Sequence, residues 1–539
     1  MSLTIAASPW RPSPARWGAR VGDLLRAHPE LVTAVLCGFV LAIGQRGPDL
    51  PAQAYRVFLV RQHGLLAFDS HWYAGHPLPG YSLLFPPLAA VLGARLVGSV
   101  ACIAATAAFT RLVRGPRRTG HDLAVLWFAV VSVVNLVVGR LPFALGLAAG
   151  LAALATARDG RRWWALLLAA TTGCSSPLAG AFLLLVAVAW MPSAGWRRVL
   201  PLGAASIGIA AAALFGEGGW FPFPWTTLLI ILLLAFGGLI VVPRSSKLVR
   251  RGLLAYGLAS IALFPVANPI GGNMVRLGAV VGGPLIGYEL WRARRRVLLG
   301  LAAIPLLIWG FAPLPVAFAT GQDNPSAHAG YYRGLLAYLD AHGGAASRLE
   351  VPLTDGRWES DYLATKVSLA RGWERQLDLR RNDVLYNPAL TAHDYHRWLL
   401  EMGVRWVALP DVPLDDSETG EKALLTGPTL PYLKPVWHDE HWQLWEVRDA
   451  RPLVSGPARL VRLGISAIEL DATHAGTARI LLRWTRFWQV TQGVACIGPT
   501  ANGWTEVHLT RPGPVTLTAK VGLRSLAGVG ADGSCSTPS

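Results

Sequence analysis

The chain is 539 residues long, with 53% hydrophobic and 15% charged residues and a mean hydropathy of +0.39. That balance excludes an ordinary soluble globular protein and a disordered one. A formal net charge of +17 would suit a nucleic-acid binder, but the arginines sit in short loops between apolar runs. This is the signature of loops kept on the cytoplasmic side of a membrane, so membrane lipids replace nucleic acid as the expected surroundings.

Residues 1–28 carry Arg11, Arg16, Arg20 and Arg26 and read as a cytoplasmic segment. The apolar run after them is not followed by a small-residue cleavage pattern, so it reads as a retained first span. A spanning helix needs roughly 20 apolar residues. The runs at 29–45, 86–113, 121–138, 141–157, 163–173, 177–191, 200–215, 225–242, 251–267, 274–290 and 297–319 predict a polytopic helical bundle of about eleven spans over residues 29–320. The run at 86–113 is long enough for a re-entrant piece followed by a span.

The loops alternate in charge. Those at 111–118, 158–162, 197–198, 244–251 and 292–296 are basic, while those at 46–85, 139–142, 173–177, 216–225 and 268–273 are not. The charge rule puts the first set inside and the second outside. The expected topology is a multi-pass plasma-membrane protein with a cytoplasmic N-terminus and everything after about Gly321 extracytoplasmic.

The first outer loop, 46–85, reads RGPDLPAQAYRVFLVRQHGLLAFDSHWYAGHPLPGYSLLF. It is too long for a simple turn, and long loops in compact proteins are usually functional or disordered. Its aromatic content argues against disorder. Asp49 is its central acid; standing before LPAQAYRVFL, it is also a good helix N-cap. Asp69 is a second candidate, with turn formation as its other role. Among the other outer loops, GEGGWFPFPW offers Trp220 to an interface or a sugar, and GRLPFALG carries Arg140. PVANPIGGNMVR carries Asn273 and Arg276. An arginine near a helix terminus in a membrane costs roughly 2.5–3.5 kcal/mol at the bilayer centre and usually has an anionic partner.

Beyond residue 320 the composition changes. Residues 321–450 read as an α/β module, with helical spacing at 331–341 and 393–401 and strands at 348–352, 404–409 and 442–447. Residues 451–539 read as a β-sandwich-like end with strands at 460–470, 480–490, 504–509 and 515–521. Such an appendage is more often a binding or positioning module than a catalytic one. In ARGWERQLD, Arg371, Glu374, Arg375 and Asp378 form a salt-bridged face or, with Trp373, turn toward a membrane cavity. Three of the five cysteines lie in apolar runs; Cys496 and Cys535 lie in the tail and pair if that tail faces an oxidising exterior.

An acid loop after the first span, a multi-span bundle and an appended soluble domain resemble the GT-C class of integral membrane glycosyltransferases. DSHWYAGHPLPGYS, GRLPFALG, PIGGNMVRL and LARGWERQLD look like segments of actinobacterial members of that class. The resemblance implies a GT-C-like domain, a polyprenyl-phosphate sugar donor, arabinofuranose or mannose as the sugar, and a cell-envelope glycan or glycoprotein as acceptor. Inverting transfer needs a carboxylate that takes the acceptor hydroxyl's proton, for which Asp49 is placed. Arg276, Arg140, Asn273 and His71 would hold the leaving phosphate. Trp72, Tyr73, His76, Trp220, Trp373 and Glu374 would hold sugar or acceptor. The loop has one Asp where some family members carry an acidic pair, and HWYAGH is no recognised zinc spacing, so no cofactor is assigned and a divalent metal stays an open but not favoured alternative. Neither a Walker-type loop nor a GxGxxG fingerprint occurs, which argues against a nucleotide donor. A transporter or flippase and a non-catalytic envelope-assembly scaffold are the alternative readings.

Overall fold

The computed structural model describes residues 24–522, except 26, 115–121, 217 and 322. Cys535 lies outside the described residues, so its expected pairing with Cys496 does too. Among the described residues, five helices are long and apolar enough to cross a membrane: Ala94–Val113, Leu141–Arg158, Pro177–Ala194, Trp196–Phe215 and Arg296–Ala319. Pro29–Ala42, Asp122–Val138 and Trp225–Val241 are apolar but shorter.

The expected eleven spans are not recovered as eleven full-length helices among the described residues: Pro29–Ala42 and Trp225–Val241 fall short of a full span, and Asp122–Ser132 is separated from Val134–Val138 at Val133. The run at 86–113 breaks at Gly93 into Phe85–Leu92 and Ala94–Val113. The run at 274–290 passes through Val275–Leu277, a π-helical turn at Gly278–Gly282, and then Gly283–Arg292. Average hydropathy registers the apolar content of such runs and not the helix type or length inside them.

Small residues let these helices close on one another. Gly98 on Ala94–Val113 meets Leu141 so tightly that an added Cβ would lie 2.7 Å from its side chain. A hydroxyl pair, Thr33 to Thr106 at 2.9 Å, ties Pro29–Ala42 to the same helix. On the outside, Ile240, Val297 and Trp163 are 81%, 78% and 70% exposed. Large apolar side chains standing out over a whole helical face mark a surface that meets hydrocarbon rather than water.

The second half is built on sheets. A five-stranded sheet runs Ser368–Leu369, Arg348–Glu350, Val404–Pro410, Trp442–Val447 and Leu433–His438 in spatial order. Its first three strands are parallel and the other pairings antiparallel. The helix Ala392–Met402 enters it from Thr391, whose hydroxyl caps the amide of Asp394, and stops at Gly403 in left-handed backbone. Two four-stranded antiparallel sheets follow as a sandwich. Two expected strands prove to be parts of hairpins or separate strands. The apolar pattern over 460–470 runs through a turn between Ala458–Leu463 and Ala467–Ala472. That over 480–490 covers the end of Gly476–Arg483 and the start of Trp488–Gln492. Arg348 is fully buried between the sheet and the sandwich, donating to the carbonyls of Met402 and Leu481 and locking the two together.

The loop 46–85 joins the halves. It opens as a helix, Leu50–His63, and continues into a two-stranded hairpin, Phe68–Asp69 with His76–Pro77. The hairpin is driven into the sheet half like a tenon. Its backbone bonds run from Ser70 to Ile465 at 2.8 Å, Leu369 to His71 at 2.7 Å and Arg483 to Ala74 at 2.8 Å. Phe68 meets Trp488 edge to face at 5.2 Å between centroids.

Candidate functional site

The site begins with two glycines. Gly47 lies so close to the carbonyls of Val137 and Val138 that a Cβ there would stand 2.2 Å from an oxygen. Gly139, at φ 93°, would put a Cβ 2.4 Å from the amide nitrogen of Leu50, in a conformation side chains disfavour anyway. Only glycine fits either place. The loop 47–49 is thus clamped on the turn 137–140, with the amide of Asp49 donating to Val138 at 3.0 Å.

This clamp aims Asp49 at arginine. Its carboxylate makes no cap bond to the helix behind it, so the capping role is not the one it takes. Oδ2 lies 3.4 Å from Nε of Arg140 and 3.9 Å from a terminal nitrogen of Arg276. The anionic partner expected for Arg276 is Asp49. The Arg276 guanidinium also lies 5.7 Å from the ring of Phe143.

These side chains form one wall of a cavity of about 1000 Å³, which Asn273, Tyr81 and Ser176 also line. The opposite wall comes from the sheet half: Asp355, Arg357, Trp373, Arg375, Gln376 and Asp415. Trp373 connects the walls, donating its indole N–H to the carbonyl of Pro48 at 2.9 Å. Its own carbonyl accepts from Arg357 at 2.9 Å. Asp415 takes Arg357 at 2.8 Å and Arg375 at 2.6 Å. Burial alone would raise the Asp415 carboxyl, but the two guanidiniums outweigh it and hold it far below the usual carboxylate range. Asp355 goes the other way, raised by burial and then by the neighbouring charges of Asp415 and Asp416.

The stretch 370–378 divides between its two readings. Trp373 and Arg375 face the cavity. Arg371 is buried among Asp378 at 2.7 Å, Glu418 at 2.5 Å, Glu421 at 3.4 Å and Glu350 at 3.8 Å. Burial pushes the Glu421 carboxyl up to about 8. Glu374 reaches back to pair with Arg56, and its carbonyl accepts the Tyr73 hydroxyl at 2.9 Å. It is a fastener between the halves and does not line the cavity.

Five further candidates lie away from the cavity, all on the hairpin. Asp69, His71, Trp72, Tyr73 and His76 are buried where the hairpin enters the sheet half. Trp72 donates to Ser360 at 2.8 Å and stacks on Tyr55 and His76. His71 Nδ1 binds the Ala364 carbonyl at 2.6 Å, and burial lowers the ring to about 4. Burial pushes the Asp69 carboxyl up to about 7, against the His71 amide and the Tyr55 hydroxyl that both donate to it. His76 Nδ1 is 3.7 Å from Oδ2 of Asp69, and burial holds that imidazole well below its ordinary value. They fasten the hairpin to the sheet half and do not line the cavity. Trp220 is 42% exposed and stands beside the cavity while its neighbours Gly218 and Phe221 line it.

Tyr81, Arg357, Gln376, Asp355 and Asp415 line the cavity without having been singled out in the sequence. Tyr81 carried a faint signal in HPLPGYS. The others come from a region that reads as an appendage, and no spacing links residues 357, 375 and 415. Among the described residues, no three His, Cys, Asp or Glu side chains converge as metal ligands. The neighbours of Asp49 are cations, an environment that does not suit a divalent metal.

Fold and site together define a polytopic apolar helical bundle whose polar cavity is roofed by a sheet-rich domain. No family model and no curated protein matches the chain. Among solved structures it is similar to the cryo-EM structure of arabinofuranosyltransferase AftD from mycobacteria, with 14% sequence identity and a TM-score of 0.46 over 94% of this chain. The chain spans 57% of the length of that protein.

Proposed function

We propose that the chain is a membrane glycosyltransferase that moves a sugar from a polyprenyl-phosphate donor to a cell-envelope glycan or glycoprotein at the extracytoplasmic face. The observation that carries this reading is Asp49 held beside Arg140 and Arg276 on the wall of a cavity roofed by a second domain. A lipid phosphosugar brings an anion, a sugar and a long apolar tail. The arginines suit the anion, and the cavity volume suits a sugar with the end of an acceptor. A second cavity of about 580 Å³, lined by Leu147, Leu151, Phe182, Leu185 and Leu253, shares Phe143 with the first. It suits the prenyl tail.

In this reading the donor phosphate draws Arg276 and Arg140 from Asp49, leaving a carboxylate oxygen free for the acceptor hydroxyl. The acceptor oxygen forms a bond to the anomeric carbon as its proton passes to Asp49. The bond from that carbon to the phosphate oxygen breaks, and polyprenyl phosphate leaves with the electron pair against the two guanidiniums. Asp415, Arg357 and Arg375 of the sheet half would orient the acceptor.

The test is transfer of a radiolabelled sugar from polyprenyl phosphate by the purified membrane protein. Asp49→Asn, which keeps size and removes the base, is expected to lower the rate by about 10²–10⁴-fold with expression unchanged. Undiminished transfer would remove Asp49 from that role. No transfer by the unaltered protein with either an arabinofuranosyl or a mannosyl donor would overturn the reading.

A further inference from the structure

A third cavity lies where the five-stranded sheet meets the sandwich. Its volume is about 760 Å³, and Arg405, Lys434, Arg448, Arg451 and Arg459 line it with a single carboxylate, Glu446. Glu446 is already engaged, accepting from Arg405 at 3.1 Å. Lys434, Arg448, Arg451 and Arg459 are exposed, and none is in an ion pair among the described residues. Lys434 faces Glu446 and Arg459 faces Asp471 across their strand ladders, and Arg451 acts on the Asp449 carboxyl, yet five cations against one carboxylate in the lining leave an excess of positive charge that a polyanion would relieve.

Topology separates this cleft from the membrane cavity. It sits at Gly403 and Ser347, where two of the parallel strands begin, and at Val447, where their antiparallel neighbour ends. The membrane cavity lies at the other end of the sheet, at Asp355 and Asp415. The seven-residue strand Val404–Pro410 between them spans about 20 Å at the usual rise. The two walls of the cleft are held together by the buried Arg348. It is a preformed feature and not a gap between loosely tethered domains.

We propose that this cleft binds an anionic polysaccharide, with carboxylates or phosphodiesters along the chain seated on Lys434, Arg448, Arg451 and Arg459. The excess of exposed cations around one cavity fits a ligand that carries repeated negative charge. The distance from the bundle end of the sheet argues against a lipid headgroup as occupant. The inference goes beyond the transferase reading and does not depend on it, since binding here needs neither donor nor Asp49.

The experiment is binding of the full-length protein, in nanodiscs of neutral phosphatidylcholine, to polygalacturonate, with dextran as the uncharged counterpart. Polygalacturonate is expected to bind, dextran not, and the affinity to fall steeply with added salt. Lys434→Glu with Arg448→Glu and Arg459→Glu is expected to weaken binding at least about ten-fold at low salt, since like charges then face the ligand. Lys422→Glu with Arg511→Glu and Lys520→Glu makes the same change of net charge elsewhere on the domain and is expected to leave binding unchanged. Equal loss in both triple variants would reduce the effect to net charge and overturn the proposal. So would equal binding of dextran, or tighter binding of a single-stranded oligonucleotide than of polygalacturonate. All six positions are exposed, so size-exclusion profiles should not change.

Discussion

Asp49 and Asp69 stand in the same loop, 20 positions apart by number, and each has a basic or aromatic neighbourhood in sequence. Their fates in the fold are opposite. Asp49 is partly exposed on the wall of a cavity, within ion-pair distance of two arginines. Asp69 is wholly buried, with a tyrosine hydroxyl and a backbone amide as donors and one oxygen left without a hydrogen bond. The first arrangement keeps a charge available to a ligand, while the second makes a charge costly. A carboxylate in a polar loop becomes a site or a fastener according to which half of the protein covers it.

The joint between the halves rests first on the hairpin. Trp72→Ala removes a fully buried indole from the joint between the halves and is expected to cost about 3–5 kcal/mol. This would be read as a lower thermal unfolding midpoint in detergent. An unchanged midpoint would mean that the hairpin does not hold the halves together. Next is the clamp that aims Asp49. Gly139→Ala forces a Cβ against the Leu50 amide in left-handed backbone and should cost at least about 1–2 kcal/mol. Transfer activity should fall with it, because the clamp sets the Asp49–Arg140 geometry.

Asp69→Asn sharpens the contrast through pH. The Asp69 carboxyl moves from its ordinary 3.8 to about 7 in the fold, so between those values the folded chain holds a proton that the unfolded chain has released. Its contribution to stability is therefore complete below about pH 4 and lost as pH rises through 7. The variant has no such loss. Its unfolding midpoint should gain on that of the unaltered protein as pH rises from 4 to 7, while transfer, unlike in Asp49→Asn, stays unchanged. A constant difference across that range would show that Asp69 does not titrate there. The smallest effect is expected at Trp220, half in solvent beside the cavity. Trp220→Ala should change stability by no more than about 0.5 kcal/mol and leave transfer nearly intact, and a large drop in transfer would make it a sugar platform after all.

Much of this contrast was not legible in the chain. Asp49, Arg140, Asn273, Arg276 and Trp373 could be picked out because each is a polar or aromatic residue that an apolar or turn-rich segment does not otherwise need. His71, Trp72, Tyr73 and His76 satisfied the same rule, yet the fold uses them as core. Composition registers that such residues have a purpose; whether the purpose is packing depends on the backbone that approaches them, here the carbonyls of Ser360 and Ala364 from nearly 300 residues away.

The chain alone specifies the division into an apolar helical part and a sheet-rich part, because hydropathy and residue period are properties of short segments. It also marked the loop 46–85 as the place where something unusual happens. The tertiary structure alone set the lengths of the helices within the apolar runs and the π-helical turn at Gly278–Gly282, since hydrogen-bond register depends on dihedral angles that an averaged hydropathy does not contain. It likewise decided that Arg357, Arg375 and Asp415 complete the cavity opposite Asp49. Those contacts join segments far apart in the chain through the docked hairpin, and no local pattern encodes a distance across such a joint.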